Sequence, residues 1–206
     1  RGLLEDSFIR SNDDSIKLFA NDMTVRNCVI WQQEGGAVFQ MGWWTTHVVS
    51  GAVVEDVDVI HTEWLHNHVT ETGNSGVFNL LACPINDYYV HNMSWNRIRV
   101  EGTPARLIMI EMEEPEYEKP PLTDNSTLTA WHFRDVEVEG FPLNSDIISA
   151  AGIVVTDFEF VNLQLNGSCA TDVQSAGILF AKDNNPSKGS PQPANSKFTF
   201  TCPGRG

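Results

Sequence analysis

The sequence predicts an all-β protein, a parallel β-helix of several coils, and three observations carry that reading. Helical periodicity is scarce. Short runs with apolar residues two apart recur along the chain: Val25–Trp31 (VRNCVIW), Val54–Ile60 (VEDVDVI), Asn96–Val100 (NRIRV), Phe133–Glu139 (FRDVEVE) and Phe160–Asn166 (FVNLQLN). That is the pattern of half-buried strands. Each run carries a polar residue just before its apolar pair, at Asn27, Asp56, Arg97, Asp135 and Asn162, and these anchors lie 29, 41, 38 and 27 residues apart. A strand recurring at such intervals is a repeat signal. The uneven spacing suits a β-helix, whose coils tolerate loops of different length, better than a propeller with a steady blade period.

Stacking the coils on their anchors puts Cys28/Ile30, Val57/Val59, Ile98/Val100, Val136/Val138 and Leu163/Leu165 in inward columns. Residues 25–31, 54–60, 97–100, 133–139 and 160–166 are then neighbouring parallel strands. An antiparallel sandwich is the rival, but it asks for short Asn-Gly hairpin turns, and such turns are few. Residues 1–180 read as the coils, and 181–206 as a turn-rich segment leading to a last strand, SKFTFTC.

Asp and Glu number 27 against 13 Lys and Arg, a net charge of −14. So acidic a chain is repelled by phosphate backbones and by anionic membrane faces, so neither nucleic acid nor a membrane is expected as partner. No run approaches the roughly 18 apolar residues of a membrane span. Aromatic residues make up 10% of the chain, which supplies a sizeable core and rules out disorder as the main state. Cys28, Cys83, Cys169 and Cys202 allow three pairings. Cys169 and Cys202 flank the turn-rich segment, so a bridge between them fastens the last strand to the body, whereas Cys28 occupies an inward position and reads as core. Sequons at Asn92, Asn125 and Asn166 add weak support for secretion and glycosylation. The excursion Glu111–Asn125, rich in Glu and Pro, reads as a solvated loop.

The densest polar cluster beside an apolar strand is Ser11–Phe19, SNDDSIKLF. Ile16 and Leu18 point inward, so a straight strand would bury Asp14 as well, and an unpaired buried carboxylate is too costly. The chain is therefore expected to kink near Asn12–Asp14 and to bring both Asp13 and Asp14 out to one solvent-open cleft beside Lys17. Two close carboxylates serve as acid and base, the equipment for cleaving a glycosidic bond. Taken alone, an Asp-Asp pair before a strand is more often a turn.

The surroundings add to this. The stretch SNDDSIKLFANDMTVRNCVIWQQEGGAVFQMGWW, the later VDVIH at Val57–His61 and VVTDFEF at Val154–Phe160 resemble family 49 of the glycoside hydrolases, the dextranases and isopullulanase. The resemblance runs from about Ser11 to Asn166 with its motifs in order. It implies the C-terminal part of a right-handed parallel β-helix, and inverting hydrolysis of α-glucans by three aspartates. Asp13 and Asp14 match the family's adjacent pair, one acting as general acid and the other helping to activate water. The third aspartate is expected about one coil upstream of this sequence. Lys17 is a candidate to hydrogen-bond a sugar hydroxyl, and Trp31, Trp43 and Trp44 to stack on sugar rings. A surface salt bridge and core filling are the plain alternatives. Glu34, in the loop after Trp31, is a weaker candidate.

His61, Glu63, His66 and His68 form a cluster, but neither zinc-hydrolase spacing nor a cysteine pair accompanies it. No metal and no cofactor are expected. The leading expectation is a secreted, extracellular hydrolase acting on polysaccharide, with an N-terminal fragment of the same precursor or other β-helix chains as further partners. Two rivals stand beside it: a non-catalytic structural or adhesive β-helix that assembles with other chains, and a carbohydrate-binding β-helix.

Overall fold

The computed structural model describes residues 1–33, 35–43, 48–62, 76–82, 89–102, 106–112, 127–140, 145–149, 154–181, 192 and 196–204. In chain order the strands are β1 (Gly2–Glu5), β2 (Phe8–Ser11), β3 (Ile16–Lys17), β4 (Met23–Gln32), β5 (Phe39–Trp43), β6 (Val49–Ser50), β7 (Val53–Thr62), β8 (Gly76–Ala82), β9 (Tyr89–Val100), β10 (Arg106–Met112), β11 (Thr127–Val138), β12 (Ser145–Ser149), β13 (Val154–Val155), β14 (Phe158–Leu165), β15 (Ser168–Cys169), β16 (Ile178–Ala181) and β17 (Phe198–Thr201). There is no α-helix among the described residues.

One sheet runs β1-β4-β7-β9-β11-β14-β15, and β2, β6, β13 and β17 pair with β4, β9, β11 and β14. The other runs β3-β5-β8-β10-β12-β16. From β4 the chain alternates between the two, β4 to β5, β7 to β8, β9 to β10, β11 to β12 and β14 to β16. Every ladder is parallel except the short β14·β15 pair, Gln164↔Cys169 and Leu165↔Ser168. This is a parallel β-helix. The inward columns follow the register read from the sequence: Cys28↔Val57↔Ile98↔Val136↔Leu163 and Ile30↔Val59↔Val100↔Val138↔Leu165.

The anchors explain why the columns stay in step. Asn27, Asp56, Arg97, Asp135 and Asn162 all have φ between 50° and 59°, and Asp6 joins them at 50°. One left-handed residue inside a strand turns the chain and puts two consecutive side chains outside. Burial thus jumps from Val25 to Cys28, Val54 to Val57, Trp95 to Ile98, Phe133 to Val136 and Phe160 to Leu163. Asn and Asp tolerate this conformation best. Arg97 is held there by Asp56, with Nε donating to Oδ1 at 2.6 Å and Nη2 to Oδ2 at 2.8 Å. The same hydrogen bonds hold the Asp56 carboxyl below the usual carboxylate range. Their stabilising contribution is present above the ordinary carboxylate pKa and is lost as pH falls through the depressed one. Asn27 donates to Asp6 at 2.5 Å and Asn162 to Asp135 at 2.8 Å, so the ridge is laced from coil to coil.

Five residues before each of the anchors in β4, β7, β9, β11 and β14 lies a second left-handed column: Asp22, Gly51, Asn92, Ala130 and Asp157. Between the turns the core is aromatic. Trp95, Phe133, Phe160 and Phe200 stack with interplanar angles of 12°, 8° and 9° between successive rings. Trp131, Phe158 and Phe198 form a second column, with ring centroids 5.1 and 5.3 Å apart. Such pairs add about 0.5–1.5 kcal/mol each beyond the area they bury.

Cys169 and Cys202 are bridged, with Cα atoms 6.1 Å apart, and Cys28 is free and buried. The bridge ties the chain just after β17 to β15 across a sequence separation of 33 residues. Cys83 and most of the Glu111–Asn125 and 181–196 excursions lie outside the described residues.

Two predictions follow from this packing. Ala130 is the only residue of the second left-handed column that is neither Gly, Asn nor Asp, so Ala130→Asn and Ala130→Gly should each raise stability by about 0.5–1 kcal/mol, read from urea midpoints. A fall in both variants contradicts the assigned backbone. Cys202→Ser should lower stability by about 2–4 kcal/mol without reductant, while dithiothreitol should bring the parent down to the same level. Equal midpoints for oxidised parent and variant would show that the bridge contributes nothing.

Candidate active site

β2 ends at Ser11, and the chain bends through Asn12–Asp14 before β3 begins at Ile16. The kink expected from the buried positions of Ile16 and Leu18 is present, and both side chains are in the core. The corner is built against the next coil. Gln33 N–H donates to Ser11 O at 2.8 Å, Gly35 N–H to Asn12 O at 2.9 Å, and Ser15 N–H to Ala37 O at 2.9 Å. Gly36, at φ 72°, lies so close that a Cβ there would sit 2.2 Å from Asp14 N and 2.8 Å from Asp13 Oδ1. Only glycine permits that approach.

The two aspartates are in unlike surroundings. Asp13 is exposed, and its Oδ1 accepts from the Asp14 N–H at 2.7 Å. The Asp14 side chain is only 5% exposed. Its Oδ1 accepts from Ala37 N–H at 2.9 Å, and its Oδ2 lies 3.2 Å from Lys17 Nζ. Asp14 therefore escapes the cost of an unpaired buried carboxylate by taking a backbone donor and a cation. Lys17 is half exposed and also lies 5.8 Å from the centre of the Phe19 ring. The bend thus brings Asp13, Asp14 and Lys17 together, but of the two aspartates expected in the open cleft only Asp13 faces solvent; Asp14 is buried, held inward by Ala37 N–H and Lys17.

Trp31 is partly exposed near the end of β4, and its neighbours on both sides are filled. Arg10 of β2 is in register with it, with the guanidinium carbon 5.9 Å from the ring centre. His61 of β7 is in register on the other side, with ring centres 4.5 Å apart and tilted by 32°. With neighbours along both adjacent strands, the ring is engaged by protein, and the flat stacking of a sugar on it has two competitors. Trp43 ends β5, but its side chain lies outside the described residues, as do all of Trp44, Glu34, Glu63, His66 and His68. Among the sequons, Asn92 and Asn166 are exposed, and Asn125 lies outside the described residues.

Sequence reasoning missed Gln32, the last residue of β4, which is fully buried at the corner. The signal was available: Cys28, Ile30 and Gln32 share an inward parity, and an amide at an inward position needs buried partners.

No family model matches the chain. Relatives do. An isopullulanase from Aspergillus niger is 23% identical over 202 residues, covering 85% of this chain and 33% of its own length. A dextranase from Arthrobacter sp. (strain CB-8) is 33% identical over 66 residues, covering 32% of this chain and 9% of its own. A dextranase from Talaromyces minioluteus is 33% identical over 63 residues, covering 31% and 10%. The chain thus spans about a third of the length of the isopullulanase and about a tenth of that of each dextranase. With its parallel β-helix and with relatives that are isopullulanase and dextranases, the chain is similar to family 49 of the glycoside hydrolases.

Proposed function

We propose that this chain is the part of a secreted glycoside hydrolase that carries two of its catalytic carboxylates, and that it acts on α-glucans of the dextran kind with inversion. The observation that supports the reading best is the Ser11–Asp14 corner, where an exposed carboxylate adjoins a buried one already paired with Lys17 and a backbone N–H. In this reading a protonated carboxyl gives its proton to the glycosidic oxygen as the C–O bond breaks. A carboxylate takes a proton from the water that attacks the anomeric carbon from the opposite face. Asp13, facing solvent, is the group that meets the sugar. Asp14 serves from behind it, and Lys17, half exposed, hydrogen-bonds a hydroxyl. Trp31, Trp43 and Trp44 take part as sugar contacts.

An inverting pair stands about 6.5–9.5 Å apart to leave room for the water. The family resemblance supplies that partner as a third aspartate about one coil upstream, so the reading belongs to the full-length protein. The Cys169–Cys202 bridge supports an oxidising compartment and with it secretion, with Asn92, Asn125 and Asn166 as glycan sites. In this reading residues 1–180 belong to the coils, and 181–206 to a turn-rich segment and the C-terminal strand. No metal or cofactor enters the scheme.

The second reading is a non-catalytic scaffold that associates with other β-helix chains.

In the full-length protein, Asp13→Asn and Asp14→Asn should each lower hydrolysis of an α-glucan by two or more orders of magnitude, about the contribution of a general acid or base, while the circular dichroism spectrum and melting temperature stay close to the parent. Unchanged turnover in both variants would discard the assignment. Absence of turnover in the parent, together with concentration-dependent association in sedimentation, would favour the scaffold.

A further inference from the structure

Gln32 ends β4 in the same inward column as Cys28 and Ile30, and it is 0% exposed. An amide in place of an aliphatic residue is costly there unless its polar atoms are satisfied. They are, and all by one part of the chain. The two Nε2 hydrogens are shared among three carbonyls, Asp13 O at 3.2 Å, Gln33 O at 3.2 Å and Gly35 O, while Oε1 accepts from Ser15 Oγ. These partners belong to the two segments, Ser11–Ser15 and Gln33–Ala37, that meet at the Asp13–Asp14 corner. The contacts join the backbone that presents Asp13 to the backbone that supplies Ala37 N–H to Asp14.

We propose that Gln32 is a positioning residue for the two aspartates. It touches neither carboxylate. It holds the spacing between the segments that carry and orient them, and Gly36 lets the same corner close by leaving no Cβ against Asp14 N. A small displacement of a catalytic group is expensive: about 1 Å costs roughly a hundredfold in rate. A buried amide with several backbone partners is a stiffer spacer than an aliphatic side chain, which packs without direction. This inference rests on the hydrolase reading for its kinetic consequence, but not for its structural one.

The test uses Gln32→Met, which keeps the volume and removes the amide, in the full-length protein. On dextran, kcat should fall about 10- to 100-fold with KM within about threefold of the parent. Added to Asp13→Asn, the same change should cost less than about twofold more, because residues acting as a unit are not additive. Amide hydrogen exchange gives a readout independent of activity: Asp14 and Ala37 N–H should exchange at least about tenfold faster, while Val57 and Ile98 in the stacked core are unchanged. Parent-like kcat and parent-like exchange at Asp14 and Ala37, with only a lower melting temperature, would reduce Gln32 to a stability residue and overturn the proposal. If Gln32→Met does not fold, Gly36→Ala, whose Cβ would press on Asp14 N, displaces the same corner and must give the same kcat loss at near-constant KM; full turnover in that variant overturns the proposal too. Should Asp13→Asn and Asp14→Asn both leave turnover intact, the hydrolase reading fails by itself, and the exchange rates still decide the role of Gln32.

Discussion

Every coil of this molecule has to turn at the same place as the coil beneath it. A parallel β-helix has no long-range sheet closure to correct an error, so a turn displaced by one residue would send inward side chains outside. The left-handed anchors meet that constraint. Asn27, Asp56, Arg97, Asp135 and Asn162 sit in register and bend their strands after the same inward residue. The aliphatic columns and the aromatic stacks are consequences of that register. Each inward residue meets its counterpart one strand spacing away, so Phe133 meets Phe160 and Val59 meets Val100. The side-chain bonds along the ridge, such as Asn162 to Asp135, tie the bends to each other. As exposed contacts they are individually worth little, and their value is in fixing position.

The same stacking decides what the candidate site presents. The Ser11–Asp14 bend is set by segment 32–37 of the following coil, through Gly36, Ala37 and Gln32. Asp14 is buried where Ala37 N–H reaches its carboxylate, whereas Asp13, at the bend itself, stays exposed. The register that pairs Arg10, Trp31 and His61 likewise gives Trp31 neighbours on both sides. A surface aromatic residue in a stacked fold does not have its faces to spare by default, and this separates Trp31 from a tryptophan on an isolated loop.

The large sheet was legible in the sequence because its strands have one wet face. Alternation marked the inward residues, and the polar anchor marked where alternation breaks its parity. The second sheet was not legible in that way. In β10, Leu107, Ile108, Met109 and Ile110 are all buried, and in β5 Gln40 is as buried as Phe39 and Met41, so no period of two appears. The second left-handed column was also hidden, since Gly51 and Ala130 carry no shared chemical mark with Asp22, Asn92 and Asp157. The Asp-Asp-Lys cluster could be found from local pattern. Which aspartate faces solvent could not, because it depends on a segment of the next coil whose approach is permitted by two glycines, Gly35 and Gly36.

The claim that this register makes Asp13 the solvent-facing carboxylate of a sugar-cleaving corner is tested most directly by a crystal structure of the full-length Asp13→Asn protein with an α-glucan oligosaccharide bound. The account predicts a glycosidic or hydroxyl oxygen within about 3 Å of the residue 13 side chain, with Lys17 Nζ on a neighbouring hydroxyl and Asp14 still held by Ala37. An oligosaccharide seated on another face, with the Ser11–Asp14 corner empty, would contradict it.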